Sequence, residues 1–269
     1  MRPAYFLNIG LTWSGLQALG LPTAVLQGFP QAFREGPAAE PRASQLGDTE
    51  ASAPENWVLG NPQQTTHLLL SLYADSHQQT AFEQQTQRLR QLFTTHGIVE
   101  LSCFEAQALP NDQVHFGYRD SIAQPRIAGA PGREKPDMQP AASAGEFLLG
   151  KDYINQYAGN FIGDLPGELC NNATYAALRM LKQDVHAFED LITQAGQRHN
   201  LDPELVAAKL MGRWRDGSPL ILAPEAPCPH MPSERLNNFD YAPTAEHSTY
   251  YDDAEGLRCP VGAHIRRLN

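Results

Sequence analysis

The chain has 269 residues, of which 42% are hydrophobic and 19% are charged, and its formal net charge is −10. This is an ordinary composition for a globular protein of one large or two small domains. The acidic balance argues against nucleic acid or an anionic membrane as the main partner, because both attract basic faces. We predict a cytoplasmic protein, since no apolar run approaches the roughly 18 residues that span a bilayer and no secretory signal is recognisable.

Strand and helix patterns alternate in the first half of the chain. A Gly-, Pro- and Ala-rich stretch at 27–64 predicts a long irregular connection. Continuous apolar residues at 66–74 predict a buried strand, and the spacing of apolar residues at 78–97 predicts an amphipathic helix that ends at a glycine. Residues 97–109 and 113–120 predict two further strands. Strand, helix, strand, strand is most of a ferredoxin-like α+β unit.

Two helices dominate the prediction for the second half. Residues 146–150 predict a short strand. Residues 174–195 form the strongest helical pattern of the chain, with apolar residues three or four apart and Asn172 as a candidate N-cap. Residues 202–214 predict a second helix, with an aspartate as N-cap and a proline as its first residue.

Loops and unpaired thiols are predicted elsewhere. Residues 128–145 and 222–256 are rich in turn-forming residues and lack periodicity, which is typical of long loops. The four cysteines lie far apart and form no CxxC spacing, so reduced thiols are favoured over zinc ligands or disulfides. They are Cys103, Cys170, Cys228 and Cys259.

Three polar residues are candidates for chemistry. Asp120 follows an apolar segment at a turn, where catalytic carboxylates often lie but where aspartates also cap their own turns. Arg213 follows a glycine at a helix end, so it can bond the last carbonyls of the helix or clamp an anion. His264 stands beside small residues that would let a flat ligand such as haem approach it. A lone histidine is more often structural, and His230 and His247 compete for any metal role. When each of these residues is considered alone, a structural role is favoured over a functional one.

Several stretches taken together change that balance. They are "FGYRDSIAQP", "QDV" in the predicted long helix, "GRWRDGSPL" and "CPVGAHIRR". The combination resembles the dye-decolorizing (DyP-type) peroxidases, in particular the longer branch of that family, over nearly the whole chain. The resemblance implies a haem b enzyme that uses hydrogen peroxide to oxidise dyes, phenolics or other bulky electron donors. It also implies a duplicated fold of two ferredoxin-like halves, 1–145 and 146–269, each an antiparallel sheet with helices on one face.

The resemblance also implies roles for individual residues. The GxxDG motif of the family corresponds to residues 117–121, which makes Asp120 the general acid–base that moves a proton between the two peroxide oxygens. The AHIRR segment makes His264 the axial ligand of the haem iron. The GR motif brings Arg213 to a haem propionate. Three residues that follow Asp120 are implied to lie at the haem: Ser121, Ile122 and Gln124.

The sequence departs from the family pattern in three respects. Ser121 stands where the family has a glycine, and a glycine there indicates a positive φ or a close approach of backbone to porphyrin. In the family the first strand and helix precede the segment matched by Met1, whereas the distal arginine, the acceptor for the proximal imidazole and the last strands follow the segment matched by Asn269.

We therefore expect a chain truncated at both ends. It would be a fragment of a longer protein, a decayed homologue, or the product of a split gene that needs a partner. The protein partners to expect are a complementing chain or, in a homo-oligomer, further copies of the same chain. Its turnover would lie far below that of a full-length relative, since the loss of one electrostatic donor at such a site costs ~10²–10³ in rate. The alternatives are a DyP-like binding or structural module without activity, and an unrelated α+β protein.

Overall fold

The computed structural model describes residues 3–130, 141–151, 164–243 and 252–267. Helices and one antiparallel sheet make up the regular structure of these residues, which confirms the predicted α+β class. The strands are β1 (Phe6–Leu11) and β2 (Leu68–Tyr73). The α-helices are α1 (Trp13–Ala18), α2 (Thr23–Gln27), α3 (Gln31–Glu35), α4 (Arg42–Gln45), α5 (Gln79–His96), α6 (Gly167–Cys170), α7 (Val185–His199) and α8 (Pro203–Met211).

The chain divides into two compact units, each built from two separate stretches. The first unit joins Met1–Glu105 with Ala144–Met180, and the second joins Ala106–Ser143 with Leu181–Asn269. The two ferredoxin-like halves implied by the family resemblance stay a prediction. Among the described residues, no helix combines the length and apolar character needed to cross a membrane.

The first unit contains the two-stranded sheet. β1 and β2 pair antiparallel, with Phe6 opposite Tyr73 at one end and Leu11 opposite Leu68 at the other. Helix α1 begins directly after β1, where the Thr12 side chain accepts a hydrogen bond from the backbone of the first turn. A small core of Leu16, Leu26 and Phe29 packs beneath α1 and α2.

The second unit is built around α7 and α8. Aspartates cap both helices: Asp184 accepts from the backbone N–H of Ala187 at 3.0 Å, and Asp202 accepts from that of Glu204 at 2.7 Å. Helix α8 ends at Gly212, which adopts the left-handed conformation with φ 86°. The segment that follows α8 turns back into the larger core, which contains Ala208, Trp214, Leu220, Ile221, Phe239, Cys259 and Ala263.

Local signals predicted three elements correctly. The strand predicted at 66–74 is β2, the helix predicted at 78–97 is α5, and the helix predicted at 202–214 is α8. The α5 helix ends as expected at Gly97, which has φ 69°. Where the structure describes 222–256, at 222–243 and 252–256, the one helical element is a 3₁₀ turn at Ser233–Arg235, as expected for a loop. The prediction for 128–145 lies largely outside the described residues.

The helix predicted at 174–195 is wrong in its first half. Residues 174–184 form no regular element, and α7 starts only after Asp184. The side chain of Asp184 accepts from the backbone N–H of Ala187, so the helix begins at this cap although the apolar pattern extends upstream of it. Asn172 is not the cap; it has φ 54° just after α6.

The strands predicted at 97–109, 113–120 and 146–150 are wrong. Residues 98–109 pair with no strand of the described part, and their apolar side chains, such as Val99 at 75%, are exposed. Residues 113–120 form a tight turn instead, because Gly117 bends the chain with φ 82°. Glu146 ends a 3₁₀ turn that begins at Ala144, and residues 147–150 form no strand.

Candidate functional site

Asp120 lies at the end of the turn formed by residues 113–119. The turn is closed by the backbone N–H of Val114, which donates to Tyr118 O at 2.9 Å, and the Asp120 N–H donates to Asp112 O at 2.7 Å. The Asp120 side chain is exposed. Its carboxylate makes no hydrogen bond or ion pair to any residue that the structure describes, so it is available to a ligand or to solvent.

Ser121, the residue after the candidate acid, has φ 60°. This left-handed conformation costs a residue with a side chain roughly 1–2 kcal/mol, and glycine adopts it without that cost. The conformation explains in physical terms why a glycine suits this position of the motif. Ile122 follows and is half-buried, whereas Gln124 is exposed.

His264 lies in a turn near the C-terminal end of the described residues. Its backbone N–H donates to Leu210 O of α8 at 3.0 Å, and its neighbour Ala263 is buried at 1% exposure. The imidazole is exposed and makes no hydrogen bond within the described ranges. The turn is therefore fixed through its backbone while the ring remains accessible.

One short segment holds both of these turns. At its start, Leu210 O accepts from the His264 N–H; at its end, Arg215 O accepts from the Arg119 N–H at 2.9 Å. The C-terminal end of α8 and the five residues that follow it, 210–216, thus anchor the residue before the candidate acid and the candidate iron ligand itself.

Two glycines allow this close packing. A Cβ atom on Gly212 would lie 2.5 Å from Cγ1 of Ile265, the residue after His264. A Cβ atom on Gly217 would lie 2.5 Å from Cδ1 of Ile122, two residues after Asp120. At separations this short the isoleucine side chain would have to shift, so a side chain at either glycine would disturb the packing against that turn. The stretches "RDSI" and "AHI" therefore each touch the stretch "GRWRDGSPL" in space.

Arg213 is buried and makes internal hydrogen bonds. Its guanidinium donates to Gly217 O at 3.1 Å, to Leu236 O and to the side-chain oxygen of Asn237 at 3.0 Å. It also lies over the ring of Phe239, 5.5 Å from its centroid. Burial lowers the pKa of Arg213. The structure thus gives this arginine a packing role, and contact with a haem propionate stays a prediction.

A buried ion pair that sequence reasoning missed supports the His264 turn. The Asp253 carboxylate accepts from Arg266 Nη1 at 3.0 Å and from the backbone N–H groups of Arg258 at 2.8 Å and Cys259 at 2.9 Å. Arg266 also donates to three backbone carbonyls and lies over the ring of Tyr241, 4.4 Å from its centroid. The double arginine after His264 is the only sequence signal of this pair.

The donor set fits a haem iron better than a bare metal ion. In the described part of the chain, no group of three or more His, Cys, Asp or Glu side chains could hold a metal. A haem iron needs less, because the porphyrin supplies four nitrogens and a single axial imidazole can complete the protein's share. The accessible, uncommitted ring of His264 meets that requirement. A cavity of about 300 Å³ in the same unit lies elsewhere, lined by residues that include Glu204, Trp214 and Glu225.

Known proteins resemble the chain along its whole length. It is 28% identical over 278 residues to Peroxidase 2 of Mycetinis scorodonius, a match that covers 100% of this chain and 49% of that protein. A solved triple mutant of a decolorizing peroxidase from Auricularia auricula-judae superposes with a TM-score of 0.72 at 26% identity, over 99% of this chain and 56% of that one. A dye-decolorizing peroxidase in complex with 2,6-dimethoxyphenol superposes with a TM-score of 0.71 at 26% identity, over 100% and 57%.

The chain is a homologue of the dye-decolorizing peroxidases. This confirms the family resemblance drawn from the motifs, and the α+β fold is that of these peroxidases. No protein-family model matches the chain. It spans about half the length of the curated relatives that it matches.

Proposed function

We propose that this chain forms the haem-binding part of a dye-decolorizing peroxidase. His264 is the axial ligand of the iron of haem b, and Asp120 moves the proton when hydrogen peroxide is reduced. The homology to peroxidases supports the reaction class. The observation that carries the proposal is the shared anchor, because Leu210 O and Arg215 O, five residues apart in one segment, hold the His264 and Arg119 backbones.

Each residue has a defined chemical task. The bound haem supplies the redox chemistry that couples peroxide reduction to oxidation of a donor. His264 offers a neutral ring nitrogen, which the haem can reach because the imidazole is exposed. An Asp120 carboxylate oxygen accepts the proton of one peroxide oxygen and returns it to the other, as a general acid–base does. Its lack of partners among the described residues leaves it able to do both.

The electron donor and the activity of the whole protein are further parts of this proposal. A solved relative is described in complex with 2,6-dimethoxyphenol, which favours dyes and phenolics as donors. Since the chain spans about half the length of its relatives, we propose peroxidase activity for the whole protein, with hydrogen peroxide and an electron donor as its small-molecule partners. A location in the cytoplasm stays a prediction.

The absorption spectrum of the haem-loaded protein tests the axial ligand. His264→Ala should abolish or shift the Soret band, because it removes the iron ligand. His230→Ala is the matched control, since His230 is also exposed in the same unit but lies in a different loop. Identical spectra for the protein and its His264→Ala variant would contradict the assignment.

A non-catalytic binding or structural module of the same fold is the second candidate. The internal hydrogen bonds of Arg213 favour it, because they engage this arginine with the protein itself rather than with the haem propionate that the family resemblance implies. Asp120→Asn separates the candidates. In a peroxidase it should lower the rate of peroxide-driven dye oxidation by about 10²–10⁴ while leaving the Soret band in place. In a module it changes neither.

A further inference from the structure

The Arg215 side chain joins the Asp120 turn to two helices. Its Nη1 donates to Phe116 O at 2.5 Å, within the turn. Its Nη2 donates to the Glu189 carboxylate of α7 at 2.8 Å, and its Nε to the Glu204 carboxylate of α8 at 3.0 Å. The guanidinium thus bonds three elements of the unit at once.

The same side chain also fills the inner surface of the turn. Its guanidinium carbon lies 5.4 Å from the centroid of the Tyr118 ring and 5.8 Å from that of Phe188. Gly117 faces it so closely that a Cβ atom there would lie 2.8 Å from Arg215 Nη1. Only a flat group with several donors can stack on rings and bond a carbonyl and two carboxylates together, and lysine lacks that shape.

The side chain acts on the turn separately from the Arg215 backbone. Arg215 O accepts from the Arg119 N–H, next to Asp120, and this bond exists whatever side chain residue 215 carries. The guanidinium holds the opposite arm of the turn at Phe116 O. Loss of the guanidinium should therefore loosen the backbone at Arg119 and Asp120 without deleting a bond there.

We infer that Arg215 is a positioning residue for Asp120. Its guanidinium clamps the 113–119 turn onto α7 and α8 and so fixes the direction in which the Asp120 side chain points. This inference rests on the proposed function for the importance of Asp120, but not for the clamp itself. The two parts can therefore fail separately.

Amide hydrogen exchange of the protein without added haem tests the clamp. In Arg215→Lys, the amides of Arg119 and Asp120 should exchange roughly 10- to 100-fold faster, the equivalent of the hydrogen bonds to a charged group that are lost. The amides of the α8 C-terminus, such as that of Gly212, should keep their rates. The Asp120 carboxyl ¹³C resonance should shift as well, because the carboxylate samples more directions.

Matched variants control the experiment. Arg90→Lys removes a two-pronged arginine–glutamate contact of α5, with Glu100 at 3.0 Å, and should leave exchange at Arg119 unchanged. Glu189→Gln keeps Arg215 but removes one partner, and should give a smaller rise of roughly two- to fivefold. This variant supplies the test if Arg215→Lys does not fold.

Two outcomes would overturn the inference. One is unchanged exchange at Arg119 in both Arg215→Lys and Glu189→Gln. The other is an equal rise at all amides of the unit, which would show general destabilisation rather than a local clamp. If the local rise is found but Asp120→Asn leaves dye oxidation by the haem-loaded protein unaltered, the clamp stands and the proposed function of Asp120 fails.

Discussion

Replacing Asp253 should destabilise the second unit more than its single ion pair suggests. Its side chain is 0% exposed, and that of its partner Arg266 is 10% exposed. The carboxylate accepts three hydrogen bonds, two of them from backbone N–H groups. Asp253→Asn keeps the size but turns an acceptor into a donor that faces another donor, and leaves Arg266 without its counter-charge. Removing one partner of a buried pair costs about 3–5 kcal/mol.

Urea unfolding at neutral pH measures this cost. Tryptophan fluorescence reports on both units, because Trp214 lies in the core of the second unit whereas Trp13 and Trp57 lie in the first. We expect Asp253→Asn to lower the free energy of unfolding by about 3 kcal/mol or more with an unchanged denaturant dependence, a large part of the 5–15 kcal/mol typical of a domain. Glu100→Gln is the control. The side chains of Glu100 and its partner Arg90 are 33% and 51% exposed, so this ion pair should contribute less than about 1 kcal/mol. Equal losses in the two variants would refute the reasoning.

Three further predictions concern backbone geometry and pH. Gly212→Ala should lower the free energy of thermal unfolding by about 2–4 kcal/mol, because it adds φ strain and a close contact with Ile265. Gly97→Ala is the control: Gly97 has φ 69° and no atom within 4 Å of an added Cβ, so this variant should lose only the strain energy. Ser121→Gly should raise the free energy of unfolding by up to ~1 kcal/mol, because it relieves φ 60°; a loss would contradict this. Burial raises the pKa of Tyr118 from 10.0 to about 12, so the folded state holds this proton more tightly than the unfolded state. The stability it contributes is present below pH 10 and is lost between pH 10 and 12, and Tyr118→Phe should flatten the pH dependence of stability there by up to about 1.4 kcal/mol per pH unit.

The fold was predictable where local chemistry decides it. Helix α8 begins at an aspartate followed by a proline and ends at a glycine, and all three signals are local. The helix predicted at 174–195 failed because its apolar pattern continues upstream of the cap that starts α7. In the structure, Leu178 and Leu181 of that pattern are 59% and 72% exposed, so the periodicity marks no buried helical face. The strand predicted at 97–109 failed because a strand needs a partner, which its own residues cannot specify.

The candidate site was predictable only in part. Asp120 and His264 stand in linear motifs, so a family resemblance is enough to name them. The groups that hold them were not, because Arg215 meets Phe116 across 99 positions and Arg266 meets Asp253 across 13, with no periodic signal for either contact. Motifs therefore name the candidate residues, whereas the residues that contact and hold their turns emerge only from the packing.

The glycines of the "GRWRDGSPL" stretch show why its motif has this composition. Gly212 lies against the residue after His264 and Gly217 lies against Ile122, so each is small where one signature stretch crosses another. The two arginines between these glycines make different contacts: Arg213 binds the loop at 236–237, and Arg215 binds the Asp120 turn. One segment thus combines two close approaches with two side-chain anchors. The backbone at the proposed iron ligand and the backbone beside the proposed acid are therefore held by nearby positions of one segment.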